Sequence, residues 1–454
     1  MIMKRLIALA LAVCLLFLCG GCGQEVPSTE IVVPTVPSAA TTPTTAEEIP
    51  PEPTSSGVTN YENVKAIWLS QYDLWDVYLD GEHQRNRQDF TERMGVILSN
   101  IRDMGFNTVF LQVRPNGDSM YPSQYYPMSK YVVGTYGAVA DYDPVLLIVE
   151  LAKERQLSIH AWINPMRCMK TEEMEQVSSD FTIRQWYEDP EKKGAYLVQW
   201  GSYWYLNPAY PEVRELIADG AAELLARYDF DGLHMDDYFY PTTDAAFDQA
   251  AYKAAGEGRS LETFRRDNLN ALVTRLYAVT KSAGEEKRYG ISPAGNIQMV
   301  YQSHYADVYT WCSAPGYVDY ICPQVYFGLE HQTYDFVTVC NTWQQIIQEE
   351  GISLIIGMTM EKAFSQEDQY AGSGKEEWKQ KQDVLKRCLQ YTMELPGCRG
   401  VSLFSYQHFY DPVSGEAVRE TEAERNNFLP LLQNMAWASE KPLIKSIIDK
   451  TGFL

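Results

Sequence analysis

Tyr228-Asp229-Phe230-Asp231-Gly232-Leu233-His234-Met235-Asp236-Asp237-Tyr238-Phe239-Tyr240-Pro241 is the stretch whose reading decides the fold. It opens apolar and closes on two adjacent carboxylates, three aromatics and a proline. A helical pattern over about 210–227 precedes it. A parallel strand buried on both faces reads as a short apolar run. In a barrel, such a strand delivers polar groups at its C-terminal end. Within the strand, His234 and Asp236 share a face and Met235 takes the other. Asp237 would point away in a regular strand. At a strand end the chain is already turning, so both acids can reach one pocket.

The rest of the chain repeats the same unit. From Tyr61 onward strand and helix patterns alternate eight times. Strands are expected at 64–70, 108–115, 157–165, 230–237, 288–295, 317–326, 353–360 and 400–406. The helices between and after them are expected at 89–104, 143–155, 210–227, 261–283, 303–312, 334–349, 376–393 and 423–434. Eight such units specify a single (β/α)8 barrel with long βα loops, spanning 61–435. The stops Met104-Gly105 and Ala283-Gly284 support the helix boundaries. A short tail, 436–454, follows.

The N-terminus reads differently. Residues 1–22 have the form of a secretory signal: Lys4 and Arg5, then an apolar core from Leu6 to Leu18 too short to span a bilayer. Its end, Leu18-Cys19-Gly20-Gly21-Cys22, resembles a lipoprotein box with Cys22 as the lipidated residue. Cys19 stands where an aliphatic residue is usual, and an ordinary cleaved signal is the alternative. Residues 23–60 are rich in Pro, Thr, Ser and Glu and almost lack aromatics. Such a linker cannot bury enough to order itself. At roughly 3.1–3.5 Å per residue it could reach on the order of 100 Å from a membrane. An exported chain on the outer face of the cell membrane, held by a lipid anchor, is the expectation.

Composition narrows the partners. The net charge of −22 argues against nucleic acid and anionic lipid, and makes a strongly anionic polymer a poor substrate. The hydrophobic fraction of 45% suffices for a large core. Beyond the signal, Cys168, Cys312, Cys322, Cys340, Cys388 and Cys398 show no metal spacing and read as buried thiols. Six histidines with no H-x-H or H-E-x-x-H weigh against a metal hydrolase. With no G-x-S-x-G elbow and no G-x-G-x-x-G fingerprint either, neither a nucleophilic serine nor a nucleotide is expected, and no metal or cofactor is called for.

The predicted strand ends are polar. They carry Gln112 with Arg114, His160 with Trp162 and Asn164, Gln324 with Tyr326, and Thr359 with Glu361 on shared faces by period-two counting. Arg167 follows the third strand. Carboxylates, amides and arginines among 31 tyrosines and 10 tryptophans suit a carbohydrate: acids act on the glycosidic oxygen, amides and arginines bind hydroxyls, and rings stack on sugar C–H faces. Arg114, Asn164, Arg167, His234, Tyr238, Tyr240, Gln324 and Tyr326 are candidate binding residues. Several have a blander reading. A histidine inside a strand, such as His160 or His234, is more often a satisfied core residue, and Arg114 and Arg167 could be salt-bridge partners of the acids. Asp231, at the strand start, reads as structural.

Gln112-Val113-Arg114-Pro115-Asn116-Gly117-Asp118 with Tyr121-Pro122-Ser123, His160-Ala161-Trp162-Ile163-Asn164-Pro165-Met166-Arg167, Asp231 to Pro241, Ile291-Ser292-Pro293, and Asp319-Tyr320-Ile321-Cys322-Pro323-Gln324-Val325-Tyr326 together resemble the glycoside-hydrolase-like family 10 of bacteria. The blocks fall in the right order over roughly 61–410. The resemblance implies a (β/α)8 glycosidase, often an exported lipoprotein, with some members acting on peptidoglycan strands stripped of stem peptides. The sequence departs at Ala294-Gly295-Asn296, where a bulkier aromatic run is usual.

Two mechanisms compete. In the first, a 2-acetamido group of the substrate attacks its own anomeric carbon, Asp236 orients that amide, and Asp237 protonates the leaving oxygen. Two like charges so close raise one pKa, as a general acid requires. Adjacent Asp-Asp pairs in some hexosaminidase families resemble this one. In the second, Asp236 is nucleophile or base and Glu361, on the seventh strand, is the acid of a retaining or inverting glycosidase. A non-catalytic glycan-binding lipoprotein is the remaining alternative; the intact acid pair argues against it.

Overall fold

The computed structural model describes residues 57, 59–236 and 238–435. The signal, Cys22, nearly all of the 23–60 linker, Asp237 and the 436–454 tail lie outside the described residues. Eight parallel strands close into a barrel: β1 (Val64–Leu69), β2 (Thr108–Arg114), β3 (Ser158–Ile163), β4 (Gly232–Met235), β5 (Arg288–Ile291), β6 (Tyr320–Ile321), β7 (Ser353–Thr359) and β8 (Cys398–Phe404). Each strand pairs with its chain neighbours, and β8 closes in parallel on β1.

The outer helices are α1 (Arg87–Asp103), α2 (Pro144–Glu154), α3 (Pro211–Arg227), α4 (Leu261–Ala283), α5 (Ile297–Ser303), α6 (Phe336–Ile346), α7 (Val384–Glu394) and α8 (Glu422–Asn434). Their starts follow from local chemistry. The side chains of Asn86, Asp143, Ser260 and Asp335 each accept a first-turn N–H, and Pro144 opens α2 where a missing N–H costs nothing.

Strand alternation sorts two cores. Ile67, Leu69, Val109, Leu111, Ile159, Ala161, Leu233, Met235 and Ile321 face outward onto the helices. Val64, Ala66, Trp68, Phe110, Trp162, Tyr320, Cys322 and Ile355 fill the barrel interior. Gly290 makes room for this filling: a Cβ there would lie 2.1 Å from the Tyr320 ring. The six described cysteines are free and buried.

Three expectations need correction. The helix expected at 303–312 is two short pieces, Ile297–Ser303 and Val308–Trp311, and the one at 376–393 breaks between Glu377–Gln380 and Val384–Glu394. The fifth and sixth strands stop at Ile291 and Ile321. Pro293 and Pro323 supply no N–H to the ladder, and pairing resumes only as single bridges from Gln324 to Ala294 and Gly357. The end of the expected linker is also docked. Thr59 N–H donates to Asp231 Oδ1 at 2.6 Å, and Asn60 Nδ2 donates to the carbonyls of Asp231 and Glu286. Asp231, fully buried, also takes Lys153 Nζ at 2.5 Å and the Ile159 N–H at 2.8 Å, so it holds the barrel floor.

Candidate active site

Asp236 follows β4 directly and is 5% exposed. Its Oδ2 accepts from Trp162 Nε1 at 3.0 Å and Asn164 Nδ2 at 2.8 Å, and its Oδ1 accepts from Gln324 Nε2 at 3.2 Å. The donors come from the ends of β3 and β6, on either side of β4 in the barrel. Gln324 is itself oriented, because the same Nε2 meets the Ser292 carbonyl at 3.0 Å. These N–H donors fix the plane of the carboxylate. With its plane fixed, the carboxylate is placed to orient a polar group of a substrate.

The amide of Asn164 has one possible orientation. Its Oδ1 accepts from Gln112 Nε2 at 2.7 Å while its Nδ2 faces Asp236. Gln112 Oε1 accepts the Gln71 N–H at 2.8 Å, and Gln71 Oε1 accepts from Asn116 Nδ2 at 3.2 Å. A directional amide relay therefore runs from the β1 and β2 loops to the carboxylate. Asp73 ties the next loop in: its Oδ1 accepts the Gln407 N–H at 2.7 Å, while Oδ2 takes the N–H of Ser70.

The rim holds the other candidates. Glu361 opens a short helix after β7, its N–H held by Thr359 Oγ1 at 3.1 Å. The residue is exposed overall, but desolvation of its carboxyl holds it above the usual range, against the opposing pull of Lys362. Among the described residues the Glu361 carboxylate has no hydrogen bond or ion pair. Tyr326 stacks on Phe404 at 5.9 Å and meets Trp68 edge-on. Tyr238 is 41% exposed, with the Arg167 guanidinium 5.0 Å from its ring centre.

The structure removes three candidates from the mouth. Arg114 should share a face with Gln112, but the register shifts between them and pairs Arg114 with Ile163, which faces the helices. The bulge turns Arg114 outward, where its Nη2 donates to the carbonyls of Asn164 and Pro165 and its guanidinium lies over Tyr126. It supports the β3 loop and makes no ion pair with Asp236. Tyr240 is 1% exposed, packed against Phe247 and Tyr305 beneath the loop. His234 lies in the barrel interior, stacked on Phe110 at 4.1 Å.

The protons around His234 can be ordered. Trp68 Nε1–H donates to Nε2, so the ring proton sits on Nδ1 and donates to Tyr320 Oη. That hydroxyl then donates to His160 Nδ1, and His160 Nε2–H donates to Asn60 Oδ1. Burial pushes His160 down to about 3 and His234 well below its ordinary value. Both are neutral core histidines.

Trp162 and Gln112 were not among the candidate binding residues, although the strand pattern already placed Trp162 on the Asn164 face. Nothing in the sequence signals that the indole N–H aims at Asp236.

The chain has known relatives. The profile of the glycosyl hydrolase-like 10 family matches residues 63–372. The chain belongs to that family. With the glycosyl hydrolase-like 10 family comes the class: the chain is a glycoside hydrolase. It is 32% identical over 287 residues to the glycosyl hydrolase YngK of Bacillus subtilis, covering 59% of this chain and 55% of that protein, so it spans about half of that relative's length. It is 26% identical over 450 residues to the glycosyl hydrolase DigH of Escherichia coli K12, covering 91% of this chain and 94% of that protein. The PgaB (BpsB) glycoside hydrolase domain from Bordetella bronchiseptica superposes with a TM-score of 0.50 at 12% identity, over 80% of this chain and 98% of that domain. That likeness is one of fold.

Proposed function

We propose that the protein hydrolyses a glycan rich in N-acetylated hexosamine, with peptidoglycan strands as the leading case, and that Asp236 is the fixed anion of the site. The observation that carries this reading is the set of three N–H donors on Asp236. A carboxylate held in this way presents oriented lone pairs, and the reading has it accept a further hydrogen bond from the substrate. An acetamido N–H is the donor. The acetamido oxygen then attacks the anomeric carbon as the bond to the leaving oxygen breaks. Asp236 receives the amide proton, an acid protonates the leaving group, and water opens the cyclic intermediate. Asp237 is the proposed acid, because ionised Asp236 next to it in sequence would raise its pKa.

The carboxyl of Glu361, raised and without a partner among the described residues, favours a second reading, in which Glu361 supplies the proton from across the barrel. Export, a lipid anchor on Cys22 and a place on the outer face of the membrane belong to the same proposal and rest on residues 1–22.

The test compares an N-acetylated glycan with its deacetylated form. Substrate assistance requires cleavage of the first and a rate at least about a hundredfold lower on the second. Equal rates would leave Asp236 as a nucleophile or base.

A further inference from the structure

Arg167, in the loop after β3, is 7% exposed and its guanidinium is held between two tyrosine rings, 4.3 Å from the centre of Tyr203 and 5.0 Å from that of Tyr238. Among the described residues it makes no hydrogen bond and no ion pair. Its Nε is sealed from solvent with no partner, so the Nη1/Nη2 fork is the part that reaches the surface. A guanidinium normally finds a carboxylate or several carbonyls when it is buried this far. The other interior arginines do: Arg265 pairs with Asp248, and Arg85 reaches the carbonyls of Val77, Asp76 and Leu79. Lys170 adds a second cation 5.7 Å from the Tyr203 ring. Tyr203 is half-buried and Tyr238 is open to solvent, so the rings frame the fork at the surface. Arg167 lies three residues after Asn164, and Tyr238 two after Asp236.

Resting on the hydrolase reading of Asp236, we propose that the Arg167–Tyr203–Tyr238 stack is a sugar-carboxylate subsite: it takes a hexose unit bearing an ether-linked or uronic carboxylate and lays it beside the cleavage point. A planar fork and a carboxylate form two parallel charge-assisted hydrogen bonds. Flanking rings exclude water, strengthen those bonds, and offer faces to the sugar C–H groups. The net charge of −22 opposes an anionic substrate at long range. At physiological ionic strength that repulsion is screened beyond about 8 Å, whereas a desolvated contact is not. The subsite therefore selects isolated carboxylates along a chain rather than a dense polyanion.

The test uses the full chain and two polymers: an N-acetylated hexosamine glycan carrying sugar carboxylates, and the same glycan with those carboxylates reduced to alcohols. Wild type is expected to lose about 10- to 100-fold in kcat/KM on the reduced polymer, mainly through KM. Arg167→Gln should lose as much on the native polymer and nothing further on the reduced one, and Arg167→Lys should recover part of the preference. Equal cleavage of both polymers by wild type overturns the subsite. So does an equal loss on both in Arg167→Gln, which marks a structural role. If Arg167→Gln does not fold, the wild-type comparison and Arg167→Lys decide. If wild type cleaves neither polymer, the hydrolase proposal fails instead, and equilibrium binding of the two polymers then judges the subsite, with equal affinity overturning it.

Discussion

Asn164 donates a 2.8 Å hydrogen bond to the oxygen of Asp236 that also receives the Trp162 indole N–H. The orientation of that amide is set from behind by Gln112. The carboxylate is thus positioned by a chain of groups that starts in two other loops.

Replacing one member of that chain should act through charge rather than bulk. Asn164→Asp keeps the shape but places a second carboxylate against Asp236. Loss of one charge-assisted hydrogen bond, worth about 1.5–3 kcal/mol, and the added repulsion should lower kcat at least about tenfold to a hundredfold. The pH optimum should also move, since one of two facing carboxyls would hold a proton at neutral pH. Rate–pH profiles of both proteins show either result.

Trp162→Phe removes the indole N–H and keeps most of the ring. A fall in kcat of roughly tenfold, with the melting temperature within a few degrees of wild type, is expected from loss of a single donor to the carboxylate. A large stability loss with unchanged kcat would place Trp162 in the core alone.

His234→Leu should destabilise without touching substrate affinity. The change strands the Trp68 indole and leaves Tyr320 Oη one partner short in the barrel interior. Unfolding free energy should fall by about 2–4 kcal/mol, read by denaturant titration, with KM unaltered for the folded fraction. A rise in KM would return His234 to the binding residues.

Asp118 provides a pH test. Burial pushes its carboxyl from 3.8 up to about 6, against hydrogen bonds from Ser129 and Asn116. Between those values the folded chain binds more protons than the unfolded one. Stability is therefore full below about 3.8 and falls as pH rises through 6, by at most about 3 kcal/mol. Asp118→Asn lacks that loss. Its advantage over wild type in melting temperature should grow from pH 4 to pH 6.5 and then level off; a constant difference would mean that Asp118 titrates normally.

Much of this was legible in the sequence. The eight-unit barrel was, because its inward and outward periods differ from those of the helices and each strand meets a turn or cap. Asp236 and Asn164 were also legible as strand-end groups on inward faces. Arg114 was not: a bulge after Gln112 changes its face, and a bulge leaves no mark on a period-two count. Tyr240 misled for a related reason. Past Asp236 the chain leaves strand geometry, so alternation no longer tells which of three consecutive aromatics meets water. His234 and Asp236 share a face, but the barrel is filled at the depth of His234, where Phe110 stacks on its ring.

The proton donor separates the two mechanisms. Glu361→Gln should leave most activity intact if Asp237 is the acid, while Asp237→Asn should lose about 10²–10⁴-fold on the natural glycan and regain it on an aryl glycoside with an acidic phenol leaving group. The reverse pattern would assign the acid to Glu361.

The most direct measurement is product release by Asp236→Asn beside wild type on the same purified N-acetylated glycan, with folding matched by circular dichroism. Wild type should generate new reducing ends, and the variant should fold normally, still bind the glycan and release essentially none. A folded Asp236→Asn protein that cleaves at the wild-type rate would contradict the placement of the catalytic anion at the end of β4.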